Sequence, residues 1–212
     1  MLTNMIISGI VLFLSGSTVS AAPEPALVPG PQDWTLDINY RAPAQIVIPG
    51  EGSLSSRRYW YIILTVTNRT GRDVGFFPKC ELMTDTFQIM PAGAGVSPAV
   101  FSHIRVRHQN DYPFLQQFSR TDSRMLQGED NTRDVAIIWP DFDPEARSVK
   151  FFISGLSNET AVVDHPVAAD SEGRPVKVYL RKTLQLEYLI GGDARFRSDA
   201  RAVLKDRAWV MR

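Results

Sequence analysis

Cysteine occurs once in the 212 residues, at Cys80. One thiol cannot close an internal disulfide, so the fold rests on its apolar core, which a chain of this length can build without staples or metals. A surplus of charge is also missing, since Lys+Arg and Asp+Glu both number 23. A general nucleic-acid binder needs a basic excess to displace counterions, which excludes that class. The same balance argues against an acidic scavenger of cations. The sequence lacks alternating β and α segments, a repeat of solenoid period and a Gly-x-Ser-x-Gly elbow. Gly93-x-Gly95 lacks the third glycine of a phosphate-cradling loop. These absences argue against a parallel α/β fold, a repeat array and an α/β-hydrolase-type active site.

Charge is absent in a second sense at the N-terminus, where Met1–Ala22 contains no Asp, Glu, Lys or Arg. Within it, Met5–Leu14 is an apolar run of the length found in a signal h-region, followed by small polar residues and the small-residue pattern Val19-Ser20-Ala21. The run is too short to cross roughly 30 Å of hydrocarbon. Residues 1–21 are therefore expected to be a cleaved signal peptide, although no Lys or Arg precedes the apolar run. Retention as a short anchor is the alternative. No later stretch is long enough for a transmembrane helix, and no lipobox cysteine is present. Residues 22–33 carry Pro23, Pro25, Pro29 and Pro31 and are expected to form a stiff linker.

Residues 34–212 read as one β-rich domain. Period-two patterns mark strands at Trp34–Tyr40, Ile46–Ile48, Tyr59–Thr67, Val74–Thr84, Asp134–Trp139, Val149–Ser154 and Val176–Ile190. In Tyr59–Thr67 both faces favour β structure, which marks a central strand. The polar run Asn68–Asp73 suits a turn, so this strand and Val74–Thr84 are expected to form a hairpin. Ser97-Pro98 is a helix start, with Val100 and Ile104 on one face of a short helix. Gly155–Pro175 reads as a long loop, and Ala208–Arg212 as a terminal strand docked on a sheet. Strands of this kind with turn signals between them fit a two-sheet antiparallel β-sandwich with one short helix.

The best candidate for a site is the acidic link Asp141-x-Asp143 with Glu145, whose alternating carboxylates are a weak match to calcium coordination. The glycine and distal glutamate of an EF-hand loop are missing, and Asp143-Pro144 is also an ordinary turn former. His103 and His108 are five apart, out of phase for a shared metal on a helix. Cys80 lies in an alternating stretch and reads as a small core residue rather than a nucleophile. Tyr59, Trp60 and Tyr61 alternate in direction, so they cannot form one flat sugar-stacking platform. Arg174, Lys177, Arg181 and Lys182 read as a solvated strand edge, with contact to an anionic surface as the alternative. Asn68-Arg69-Thr70 and Asn158-Glu159-Thr160 match the N-glycosylation pattern, and Asn68 is better explained as a turn residue.

Five phrases taken together are Tyr59–Gly71, Glu81–Thr86, Gly155-Leu156-Ser157, Leu180–Leu184 and Trp209–Arg212. Together they resemble a group of exported proteins of unknown function from planctomycete-type bacteria with immunoglobulin-like β-sandwich character. The resemblance covers most of residues 34–212, implies a cell-envelope location and carries no catalytic residue. The expected function is an exported, non-catalytic binding or scaffolding role in the periplasm or outside the cell. The expected partner is an envelope protein or glycan, with no cofactor. A carbohydrate-binding module is the first alternative and a secreted hydrolase the second. An exposed aromatic strip would favour the former, and a cleft holding His165 or His108 beside Asp and Ser the latter.

Overall fold

The computed structural model describes residues 26–28, 30, 32–49, 55–121 and 123–212. The expected signal peptide, residues 1–21, lies outside the described residues, as does much of the expected linker. The strands are β1 (Ala26–Val28), β2 (Asp37–Tyr40), β3 (Ala44–Pro49), β4 (Ser56–Asn68), β5 (Val74–Gly75), β6 (Lys79–Thr84) and β7 (Ile89–Pro91). Helix α1 (Pro98–Arg107) follows, then β8 (Gln116–Gln117), β9 (Arg124–Met125), β10 (Gly128–Pro140) and β11 (Ser148–Ser154). The chain continues with β12 (Thr160–Ala169), β13 (Pro175–Gly191) and β14 (Arg201–Met211). Short 3-10 segments lie at Phe118–Arg120 and Ala194–Asp199. The protein is mainly β, its pairings are antiparallel except β8 on β10, and it has one α-helix among the described residues.

The strands make two larger sheets packed face to face. In the first, β2 and β3 both pair with β4, and β4 pairs with β10. The second is organised by β13. Residues Lys182–Gly191 of β13 pair with β14. On its other edge β13 pairs with β11 through residues 184–189 and with β12 through residues 177–181. The amides fix this arrangement. Lys182 N donates to Glu159 O and Ile190 N to Arg147 O, whereas Arg181 exchanges both backbone bonds with Arg212. Even-numbered amides of β13 thus face β12 and β11, which lie end to end along one edge. Beyond them β1 pairs with β12, and β6 with β11.

Alternation in β4 explains the layers. Trp60, Ile62, Leu64 and Val66 point into the core between the sheets, where they meet Leu82, Phe151, Leu184 and Leu186. Tyr59, Tyr61 and Ile63 point the other way, under Val100 and Ile104 of α1. The helix starts at Pro98 as expected, and its two buried residues are Val100 and Ile104. Ser97 occupies the cap position without a side-chain cap bond.

Three expectations are not met. The hairpin of Tyr59–Thr67 with Val74–Thr84 does not form, because β5 pairs with β9 and β6 joins the other sheet beside β11. Phe76 buries its ring in the core and Pro78, which has no N–H to give a ladder, allows the chain to change sheets between β5 and β6. The turn residue Asn68 is fully buried, and its amide donates to Arg72 O and Met125 O. The expected loop Gly155–Pro175 contains β12. Its apolar residues are mostly half-exposed, so β12 is held by backbone pairing to β13 and β1 rather than by burial. Ala26–Val28 of the expected linker forms β1.

Gly155 sits where the crossover passes behind the sheet. Its φ is +80°, and a Cβ there would collide with the Phe77 carbonyl oxygen and come within 2.9 Å of Pro78 Cα. Gly155→Ala is expected to destabilise the fold by about 2–5 kcal/mol, the left-handed cost plus overpacking. Chemical denaturation checks this; an unchanged midpoint would contradict the close approach.

Candidate functional site

The acidic link is a structural joint. Asp141 Oδ1 accepts hydrogen bonds from Trp60 Nε1 at 2.8 Å, Phe142 N at 3.1 Å and Arg197 Nε at 3.4 Å, and Arg58 Nη1 lies 3.5 Å from Oδ2. Arg197 is 8% exposed and lies over the Phe142 ring at 4.5 Å. Asp143 accepts from Glu145 N, and a hydrogen bond from the Thr86 hydroxyl is the main cause that holds its carboxyl below the ordinary range. Glu145 is exposed. The Asp141 and Asp143 carboxylates therefore serve different local bonds. Among the described residues no group of three His, Cys, Asp or Glu side chains is placed to hold a metal ion. Asp141→Ala strips the partner from a buried indole and a buried guanidinium. It is expected to cost about 3 kcal/mol, measured by denaturant titration. A loss of a few tenths would show that the joint is solvated.

The other candidates disperse. Cys80 is buried in the inter-sheet core, and desolvation pushes its thiol well above its ordinary value, so it is inert as a nucleophile. Tyr59, Trp60 and Tyr61 are all buried, so none is a sugar platform. The large exposed aromatics Phe77, Phe87, Phe114, Tyr179 and Phe196 lie on five separate segments. His165 is exposed and uses Nδ1 to accept from Val167 N and Ala168 N. His108 Nε2 lies 2.8 Å from the Tyr61 hydroxyl, and burial is the main cause that lowers its pKa. His103 lines an open groove of about 610 Å³ with Ile48, Arg57, Tyr59, Ser97 and Val100. Neither Ser97 nor His103 makes a side-chain hydrogen bond to a described residue. A serine without a positioned base is not an activated nucleophile.

Two charged clusters are built with more care. At one end of the core, Lys182 Nζ donates to Glu159 Oε1 at 2.5 Å and to Thr35 Oγ1 at 3.2 Å. Thr35 Oγ1 also contacts Ser157 Oγ at 3.0 Å and Glu159 Oε1 at 2.9 Å, and Ser157 Oγ donates to Trp34 O. The hydrogen bond from Lys182 is the main cause that lowers the Glu159 pKa. This network plugs the core with polar groups and ties the segment before β2 to β13. It also uses the Asn158 side chain, which accepts from Trp34 N and donates to Gln32 O.

On the outer face of the β13 sheet, Glu187 is 7% exposed and lies between Lys205 Nζ at 2.8 Å and Lys150 Nζ at 3.6 Å. The Lys205 hydrogen bond leads the causes that depress its pKa below the ordinary 4.5. In acid the unfolded chain takes up this proton before the folded one. The stabilisation is complete above the ordinary glutamate range and is lost as pH falls through the depressed folded value. Glu187→Gln is expected to lower stability at neutral pH and to flatten the acid limb of a stability–pH curve. An acid limb identical to wild type would contradict the assignment.

Beyond the polar plug the hairpin β12–β13, flanked by β1, continues the sheet as an arm. Alternation places Val176, Val178 and Leu180 on the same side of β13 as core residues Leu184 and Leu186. Their cross-strand partners include Val163 and Ala161, and Leu27 is paired with Ala161. Leu27 is 65% and Val176 39% exposed, and Val163, Val178 and Leu180 are half-buried. The expected basic edge is neutralised on this arm: Lys177 pairs with Asp164, and Arg174 with Asp170 and Glu172. The basic residues had been conspicuous in the sequence. The apolar residues between them, Val176, Val178 and Leu180, alternate onto the inner side.

No protein-family model, curated protein or solved structure matches this chain. No helix among the described residues is long and apolar enough to cross a membrane.

Proposed function

We propose that this chain is an exported, non-catalytic binding or scaffolding protein of the bacterial cell envelope. In this reading it works in the periplasm or outside the cell, as an immunoglobulin-like β-sandwich behind a cleaved signal peptide. The charge-free, apolar N-terminus and the Val19-Ser20-Ala21 pattern support export. A core that needs no disulfide and two antiparallel sheets packed face to face support the sandwich. The resemblance in Tyr59–Gly71 and the other phrases points to the same compartment.

The observation that carries the binding role is the arm. Its inner side carries exposed Leu27 and Val176 beside half-buried Val163, Val178 and Leu180, and exposed apolar surface marks association sites. The histidines, Ser97 and the acidic link offer no comparable constellation for bond breaking. Envelope proteins, glycans included as ligands, remain the partner class that suits an exported domain of zero net charge.

The test replaces residues 164–177 by a short turn and follows the protein in cell fractions. Wild type is expected in the envelope fraction with an N-terminus at Ala22. The shortened chain is expected to keep its core, read by near-ultraviolet circular dichroism, and to shift to the soluble fraction. Equal retention of both chains would sink the arm as the binding surface, and an intact Met1 would sink cleavage.

A further inference from the structure

The cations around α1 are left without counter-charges. Residues 86–120 hold one acid, Asp111, against Arg105, Arg107, Arg120, His103 and His108, although the whole chain is neutral. Asp111 is taken by Arg41 at 3.1 Å, and Arg107 gives its donors to Gln45 O and the Tyr61 hydroxyl. Arg57, Arg105 and Arg120 are exposed, and none of them makes an ion pair or a side-chain hydrogen bond with a described residue. Elsewhere on the surface comparable cations are paired: Lys177 with Asp164, Arg174 with Asp170 and Lys205 with Glu187.

Two open grooves run beside the helix. α1 lies over β4 and β10, with Val100 and Ile104 turned down onto the sheet. Its flank with Ala99 and His103 faces the β3 side, where the groove of about 610 Å³ is also lined by Arg57. Its flank with Phe101, Ser102 and Arg105 faces the β8 side, where a second groove of about 330 Å³ is lined by Gln116, Gln117 and Arg120. Pro98 belongs to both, and no described Asp or Glu lines either one. The pair Arg57 and His103 is thus set apart from the pair Arg105 and Arg120 by roughly the width of a helix, about 10 Å.

Charge and shape select the ligand. Unpaired guanidinium groups in a concave site without acids favour carboxylate or phosphate groups. Cations in two grooves call for a ligand with anionic groups at intervals, which a chain supplies and a small anion does not. A bilayer is disfavoured, because a helix lying in a membrane interface needs its apolar stripe free, and α1 uses that stripe on the sheet. A protein partner draws its affinity from anchors seated in well-packed pockets, and these grooves are open.

We propose that the grooves beside α1 bind an acidic envelope polysaccharide, its repeated carboxylate or phosphate groups meeting Arg57 and His103 on one flank of the helix and Arg105 and Arg120 on the other. This adds a second surface to the arm and rests on the reading of the chain as an envelope protein.

The test is calorimetric titration of the purified chain with polygalacturonate, which carries carboxylates, and with phosphomannan, which carries phosphates, against neutral dextran. Binding of at least one acidic polymer is expected, with an affinity that falls as salt rises, and no binding of dextran. Arg57→Gln, and the double change Arg105→Gln with Arg120→Gln, are expected to weaken it about two- to fivefold per charge removed. Arg174→Gln on the arm leaves it unchanged. Circular dichroism of these variants is expected to match wild type, since all four side chains are exposed. Failure of both acidic polymers to bind at low salt overturns the proposal, as does equal binding of dextran or an affinity that the α1-side changes leave intact. Tighter binding of poly-glutamate or of phosphatidylglycerol vesicles than of either polysaccharide also overturns it. A chain that binds through these arginines but is absent from the envelope fraction would keep the site and overturn the cellular role. A chain that is present in that fraction and binds neither polymer would overturn the site alone.

Discussion

Backbone pairing along β13 is the constraint on which the other parts depend. Its 17 residues are too long for any single neighbour. β14 takes one edge from Lys182 to Gly191, and β11 and β12 divide the other edge between them. Once that ladder is fixed, period two decides every side chain. Leu184, Leu186, Tyr188 and Ile190 must enter the core, and Thr183, Gln185 and Glu187 must face outward. The break between β11 and β12 then has one place to go. Residues 155–159 leave the ladder, bury Leu156, and require Gly155 in a left-handed conformation against the crossover before β6.

The same ladder passes through three chemical environments. The inner side is apolar against the first sheet, polar at Lys182, and apolar again in the arm. Lys182 closes the core because Glu159 and Thr35 satisfy its ammonium group, and its position over Trp209, 5.3 Å from the ring centroid, covers the last aromatic of β14. On the outer side, Glu187 is sheltered by lysine stems, which lets a carboxylate occupy a nearly buried site without a lone charge. Stability therefore concentrates where two sheets oppose each other.

How legible this was in the sequence varies with the physics of each segment. β4 was readable because both of its faces are buried and both are rich in β-branched and aromatic residues. Helix α1 was readable from Ser97-Pro98 and the pair Val100 and Ile104. The final strand was placed from Trp209 and Val210, and it extends back to Arg201. The hairpin after Asn68 was misjudged because turn chemistry is local, whereas the change of sheets at Phe76–Pro78 is decided by a core formed from distant strands. β12 was missed because a strand with half-exposed residues, held by backbone pairing to β13 and β1, lacks a burial pattern. The acidic link was read through its carboxylates, yet the decisive partners of Asp141 are Trp60, 81 residues earlier, and Arg197, 56 residues later. Such contacts leave no mark in local spacing. The apolar alternation in Val176–Arg181 was visible, but its pairing with β12 was not.

The most direct test of this account is residue-resolved hydrogen exchange along β13 under native conditions. The ladder predicts that the amides of Lys182 to Ile190 exchange only with global unfolding, since each faces a strand on one edge or the other. It predicts that the amides of Lys177 and Tyr179, which point away from β12 where β14 does not reach, exchange as open groups, while Val178 and Leu180 are protected. Uniform protection from 175 to 191, or exchange of Thr183, Gln185 and Glu187 as fast as that of Lys177, would contradict the central place given to β13.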